Sequence, residues 1–67
     1  MPHESKEIPY LIAARDQFSS AQRSLVMAVR ALQRAEMEDH FHRTIAATKE
    51  VIGDLAISVE QINDHLN

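Results

Sequence analysis

The stretch that decides the fold is residues 11–35, LIAARDQFSSAQRSLVMAVRALQRA. Leu11, Phe18, Leu25 and Leu32 recur in it every seven residues, and Ala14, Ala21, Ala28 and Ala35 follow each of them by three. A seven-residue repeat with a partner three positions on is the signature of a helix that lays one apolar seam against another helix. Val29, and at the margin Val26 and Ile8, widen the stripe. The alanine row beside the large-apolar row predicts a close antiparallel seam.

The same logic returns downstream. Ile45, Ile52, Val59 and Leu66 are spaced by seven, with Phe41, Thr48, Leu55 and Ile62 as the companion row. The two registers do not join. Continuing the first places Asp39, Gly53 and Glu60 on the seam, so the phase breaks within Glu36-Met37-Glu38-Asp39-His40, a polar cluster with no apolar duty. Asp39 suits the N-cap of a second helix. The alternative is a single bent helix running through the corner.

The fold expected is therefore all-α, an antiparallel two-helix hairpin of coiled-coil type. Helix 1 is predicted at about 9–37 and helix 2 at about 39–66, after a flexible N-terminal segment over 1–8. Pro9 is read as lying in the first turn of helix 1, with Ser5 as a possible cap upstream. The predicted hairpin seam comprises Leu11, Phe18, Leu25, Leu32, Phe41, Ile45, Ile52, Leu55, Val59 and Ile62. Gly53 interrupts helix 2 without breaking its register. It reads as an interior glycine or as a point where another backbone comes close.

Composition narrows the function classes. The chain has 67 residues, no cysteine, one glycine and a net charge of -3. It is too short for more than one domain and too short to bury a large core unaided. Without cysteine it has no thiolate metal site and no thiol redox chemistry. No apolar run approaches the roughly 20 residues of a membrane span, and no signal-peptide pattern is present, so the expectation is a cytoplasmic protein that does not enter a membrane.

The charge is divided between the halves. Residues 10–37 carry Arg15, Arg23, Arg30 and Arg34 against Asp16 and Glu36, a net of +2. Residues 38–67 carry Arg43 and Lys49 against Glu38, Asp39, Glu50, Asp54, Glu60 and Asp64, a net of −4. Opposite signs favour pairing of the halves, within one chain or between two.

Candidate chemistry is sparse. His40 and His42 point about 200° apart on a helix and cannot share an ion. Asp39 and His42, three apart, could form half of a carboxylate–histidine metal motif, but the other half is missing, and a solvated polar corner accounts for them better. Ser19, Ser20 and Ser24 lack the histidine and carboxylate partners that nucleophilic catalysis needs. No catalytic residue, metal ligand, cofactor or small-molecule substrate is expected. Arg23, Arg30 and Arg34 line one strip of helix 1 and could meet phosphates, but the overall acidity and the lack of interleaved aromatics argue against nucleic acid.

What remains is apolar surface in excess of what a bare hairpin can cover. Ile12, Val26, Met27, Val29 and Ile57 lie off or at the margin of the seams and form the predicted partner-binding set. A protein partner, a second copy of the chain, or both would cover them, the latter closing a four-helix bundle.

From Ala28-Val29-Arg30-Ala31-Leu32-Gln33-Arg34, through the polar corner and Phe41, to Glu50-Val51-Ile52 and Leu55-Ala56-Ile57, the pattern of apolar spacing resembles the small two-helix co-chaperones of type III secretion needle subunits. Phe41 stands where that family opens its second helix on an aromatic. The resemblance implies a hairpin that docks on a repeat-type chaperone and helps keep a needle subunit unpolymerised. In size and acidity the chain is also similar to the dimeric hairpin regulators of plasmid replication, which bind paired RNA loops. A phage-encoded inhibitor of a host protein would share the same architecture.

Overall fold

A computed structural model describes the backbone of residues 2–67 and the side chains from Glu7 onward. The chain forms two helices, α1 over Pro2–Arg34 and α2 over His42–Leu66, packed along each other as a hairpin 53 × 14 × 14 Å in extent. Residues rich in Ala, Leu, Gln and Arg favour the helix intrinsically. The paired apolar rows supply the tertiary contact that isolated helices in water lack.

The boundaries differ from the sequence-based expectation at three places. The first helix begins at Pro2 rather than near residue 9, so Pro9 lies inside it. The predicted flexibility of 1–8 concerns, for Met1 and the side chains of residues 2–6, positions outside the described residues. At its other end α1 stops at Arg34, three residues short of the expected 37. The third difference is the start of α2 at His42, with Phe41 in the N-cap position and no side-chain cap. Asp39 therefore does not cap the helix. Its carbonyl oxygen lies 3.0 Å from His42 Nδ1 instead, a hydrogen bond when that nitrogen carries the proton.

The corner is a true turn. Glu36 takes a left-handed conformation with φ of 57°. Its N–H donates to the Gln33 carbonyl at 3.1 Å, and the Met37 N–H reaches back to the Leu32 carbonyl at 3.0 Å. This pair of bonds is the Schellman closure, in which the chain doubles back to satisfy the last carbonyls of a helix. A second turn follows, with the Phe41 N–H donating to the Met37 carbonyl at 3.1 Å. The His40 ring meets the Phe41 ring edge-on, centroids 4.6 Å apart.

The core is thin. Among the described residues, only Val29, 7% exposed, and Ile45, 8% exposed, are buried hydrophobic residues. On α2 the half-buried positions are Thr48, Ile52, Leu55, Ser58, Val59, Ile62, Asn63 and Leu66, largely the two predicted rows. Thr48 carries no orphaned hydroxyl into the seam, because its Oγ donates to the Thr44 carbonyl at 2.6 Å.

On α1 the seam is turned relative to the expectation. Leu11, Leu25 and Leu32 are half-buried, but their companions are Arg15, Gln22 and Val29, four residues on, together with Val26 and Gln33. Of the alanine row only Ala14 is half-buried, while Ala21, Ala28 and Ala35 are exposed. The second helix packs on the other flank of the leucine row, and the alanine flank is left open.

Gly53 is in open space, with nothing within 4 Å of where a Cβ would stand and no left-handed backbone. Gly53→Ala is therefore expected to stabilise α2 by about 0.5–1 kcal/mol, read as a higher melting temperature by circular dichroism. A lower one would mean that the missing side chain has a purpose that the hairpin alone does not show.

Candidate interaction surface

The predicted site residues fall in three places. Val29 does not belong to an exposed set: it is the most buried residue of the described core, because the turned seam brings it under α2. Ile12 at 37%, Met27 at 67% and Ile57 at 56% are exposed, and Val26 is half-buried. Phe18, assigned to the seam, stands 37% exposed at its edge.

These residues do not make one patch. At about 100° per residue, Ile12, Val26 and Met27 share one flank of α1 with Arg23, Arg30 and Arg34. Ile57 lies on the far side of α2 among Glu50, Glu60 and Asp64, away from that flank. The arginine flank has relief. Gln22, Arg23, Val26, Met27 and Arg30 line one shallow cleft, and Met27, Arg30, Ala31 and Arg34 line the next. On the neighbouring side Val26, Val29, Arg30 and Gln33 face Lys49 and Ile52 across the groove between the helices.

The arginines of this flank differ from Arg15. The Arg15 side chain is half-buried and donates from Nη1 to Asn63 Oδ1 at 3.1 Å, bonding the two helices near their open ends. Its Nε also lies 3.3 Å from Asp16 Oδ1. Among the described residues, no ion pair holds Arg23, Arg30 or Arg34. Their guanidinium groups stand beside exposed Met27, a combination of apolar contact and free cationic donors suited to an apolar surface edged with carboxylates.

Sequence reasoning missed a second surface. The exposed Ala21 and Ala28 adjoin the partly exposed Phe18 on one side of the leucine row, and Val51, 45% exposed, stands on the matching side of α2 beside Leu55. Antiparallel packing puts these flanks on the same face of the hairpin. On α1 this face carries no Asp, Glu, Lys or Arg between Tyr10 and Ala35, with Gln17 and Ser24 at its polar positions, and on α2 Thr44 and Ser58 adjoin Val51 while Asp54 stands at the outer margin. The alanine spacing carries the signal, but on its own it reads equally as an intramolecular seam.

Elsewhere the chain offers little chemistry. Among the described residues no three of His, Asp and Glu gather as metal ligands, and no helix is long and apolar enough to cross a membrane. Ser20 and Ser24 are exposed and Ser19 half-buried, each on the surface of α1. No protein-family model, curated protein or solved structure matches the chain.

Proposed function

We propose that this chain is a non-enzymatic interaction module, a small helical-hairpin adaptor or co-chaperone that works by burying an apolar helix face on a protein partner. The observation that carries the reading is surplus surface. The chain exposes 5394 Å², about 1,100 Å² more than a compact monomer of its mass. Large apolar side chains stand in it at named positions, Met27 at 67% exposed foremost on α1 after Tyr10. The flank formed by Ile12, Val26 and Met27 with Arg23, Arg30 and Arg34 suits an amphipathic partner segment whose rim is acidic. Apolar contact supplies the affinity and the arginines set the orientation.

The test is capture of a partner by the tagged chain, repeated with Met27→Asp and with Ile57→Asp. The wild type and the Ile57 variant are expected to retain the same partner, and the Met27 variant to lose it. Equal retention by all three would overturn the assignment of this flank, and no partner at all would overturn the adaptor reading. The arginine strip favours a second reading, RNA binding. That reading requires a gel shift that weakens steeply with salt and disappears in Arg23→Glu/Arg30→Glu. We expect no shift at low salt, and a protein partner whose affinity drops in the same double variant.

A further inference from the structure

We infer that the occupant of the arginine flank is an acidic amphipathic α-helix of the partner, lying along α1 with carboxylates on either side of an apolar stripe. The inference rests on the interaction-module reading and names the chemistry and the form of the partner that reading requires.

Charge carries it. The chain has a net charge of -3, yet one side of its corner half gathers cations. From Arg23 to Arg34, α1 contains three arginines and no Asp or Glu. Lys49 of α2 joins them, facing Arg30 across the groove between the helices. Among the described residues the ion pair is that of Arg15 with Asp16, so none of these four cations is paired. Like charges so placed repel one another. An occupant bearing carboxylates relieves that repulsion and gives the guanidinium groups charge-assisted bonds. Between the cations the surface is apolar, with Val26 half-buried and Met27 exposed, so the occupant carries apolar side chains as well as acids.

The form of the occupant follows from the backbone. Both α1 and α2 use their own peptide groups in helical bonds, and the described residues offer no strand edge. An extended segment laid on this flank would bury N–H and C=O groups without partners, whereas a helix satisfies its own. Arg23 and Arg30 are seven residues apart, a rise of about 10.5 Å. A helix running nearly along α1 repeats its own face at the same interval, so carboxylates seven residues apart reach both arginines. The apolar residues between those carboxylates then lie over Val26 and Met27, which are three and four residues on from Arg23.

Fluorescence anisotropy of the full chain with synthetic peptides tests this. The probe is a labelled helical peptide of about three heptads, with glutamate opening each heptad and leucine at its fourth and fifth positions. It is expected to bind the wild type, and Arg23→Glu/Arg30→Glu to raise its dissociation constant about tenfold or more. Lys49→Glu is expected to weaken it less, and Ile57→Glu to leave it unchanged. A peptide with lysine in place of glutamate is expected to reverse the preference, binding the double variant and not the wild type, a result that an unfolded variant would not give. A central proline, which breaks the peptide's helix, is expected to weaken binding about tenfold or more. Equal binding of the proline peptide overturns the helical occupant. An acidic peptide that does not bind, or whose binding the arginine substitutions leave unchanged, overturns the inference as a whole. A flank that binds a short RNA and not the acidic helix overturns it as well. The two readings fail separately. Capture of a partner through Met27 by a chain that ignores the acidic helix removes only the partner's chemistry, and binding of the acidic helix by a chain that captures no partner removes only the adaptor.

Discussion

Ile45→Asp is expected to unfold the hairpin at room temperature. Ile45 is 8% exposed, one of two buried hydrophobic residues among those described. A carboxylate there is withdrawn from water in one of the most enclosed parts of the seam. The substitution removes the apolar contact and adds the cost of an unpaired buried charge, together several kcal/mol. A chain of this length has a stability of roughly 3–10 kcal/mol in all, so a loss of that size takes most of what exists. Circular dichroism should show the helical signal collapsing at 25 °C, or a cooperative melt moved far down. The same charge at Leu25, which is only half-buried, is expected to weaken the fold less. At Ile57, 56% exposed, it should change stability by about 0.5 kcal/mol or less. An Ile45→Asp variant that melts with the wild type would mean that the contact of α1 with α2 is not where the structure has it.

The second large effect runs the other way. Glu36→Gly is expected to stabilise the protein by about 1 kcal/mol and to raise the melting temperature by about 4–8 °C. Glu36 has φ of 57°, and it is the described non-glycine residue with positive φ. In that conformation Cβ crowds the following carbonyl oxygen, a strain of about 1–2 kcal/mol that glycine does not carry. Glycine also loosens the unfolded chain, which offsets part of the gain. The Schellman bonds from Glu36 and Met37 do not depend on the side chain, so they persist in the variant. Glu36→Ala, which keeps Cβ, should leave the melting temperature near its starting value. A fall on substitution by glycine would show instead that the glutamate side chain holds the corner.

The fold class was legible in the heptad rows, and α2 was more legible than α1. Phe41, Ile45, Ile52, Leu55, Val59 and Ile62 leave α2 one contiguous apolar stripe, and it lies half-buried or buried in the structure. On α1 the large-apolar row is flanked by alanines three residues on and by Arg15, Gln22 and Val29 four residues on. Both spacings suit a helix, and apolarity pointed to the alanines. The packed row is the more polar one, since long Arg and Gln stems cover apolar surface while their heads reach polar partners, as Arg15 does at Asn63. For this reason the sequence pattern alone places Val29 at the surface and the alanine flank in the core. The corner was located by its loss of apolar phase, but its mechanism was hidden. A left-handed closure normally announces itself as glycine, and here the position is held by Glu36. Asp39 has the chemistry of a cap, but the turn after Met37 carries the chain past it before α2 begins at His42.

Val29 and Ile45 stand on either side of the corner, and that placement gives the molecule a direction of assembly. With the half-buried Leu32 and Phe41 they gather apolar residues next to the turn, where contacts between the helices close the shortest loops and cost the least chain entropy. From there the helices can join in sequence toward the far end, where the Arg15–Asn63 hydrogen bond is among the last links. The resulting gradient of local stability runs along the 53 Å length, from a tight corner to arms that part most easily. A ligand at the open end would meet the most adjustable part of the protein, and one at the corner the least.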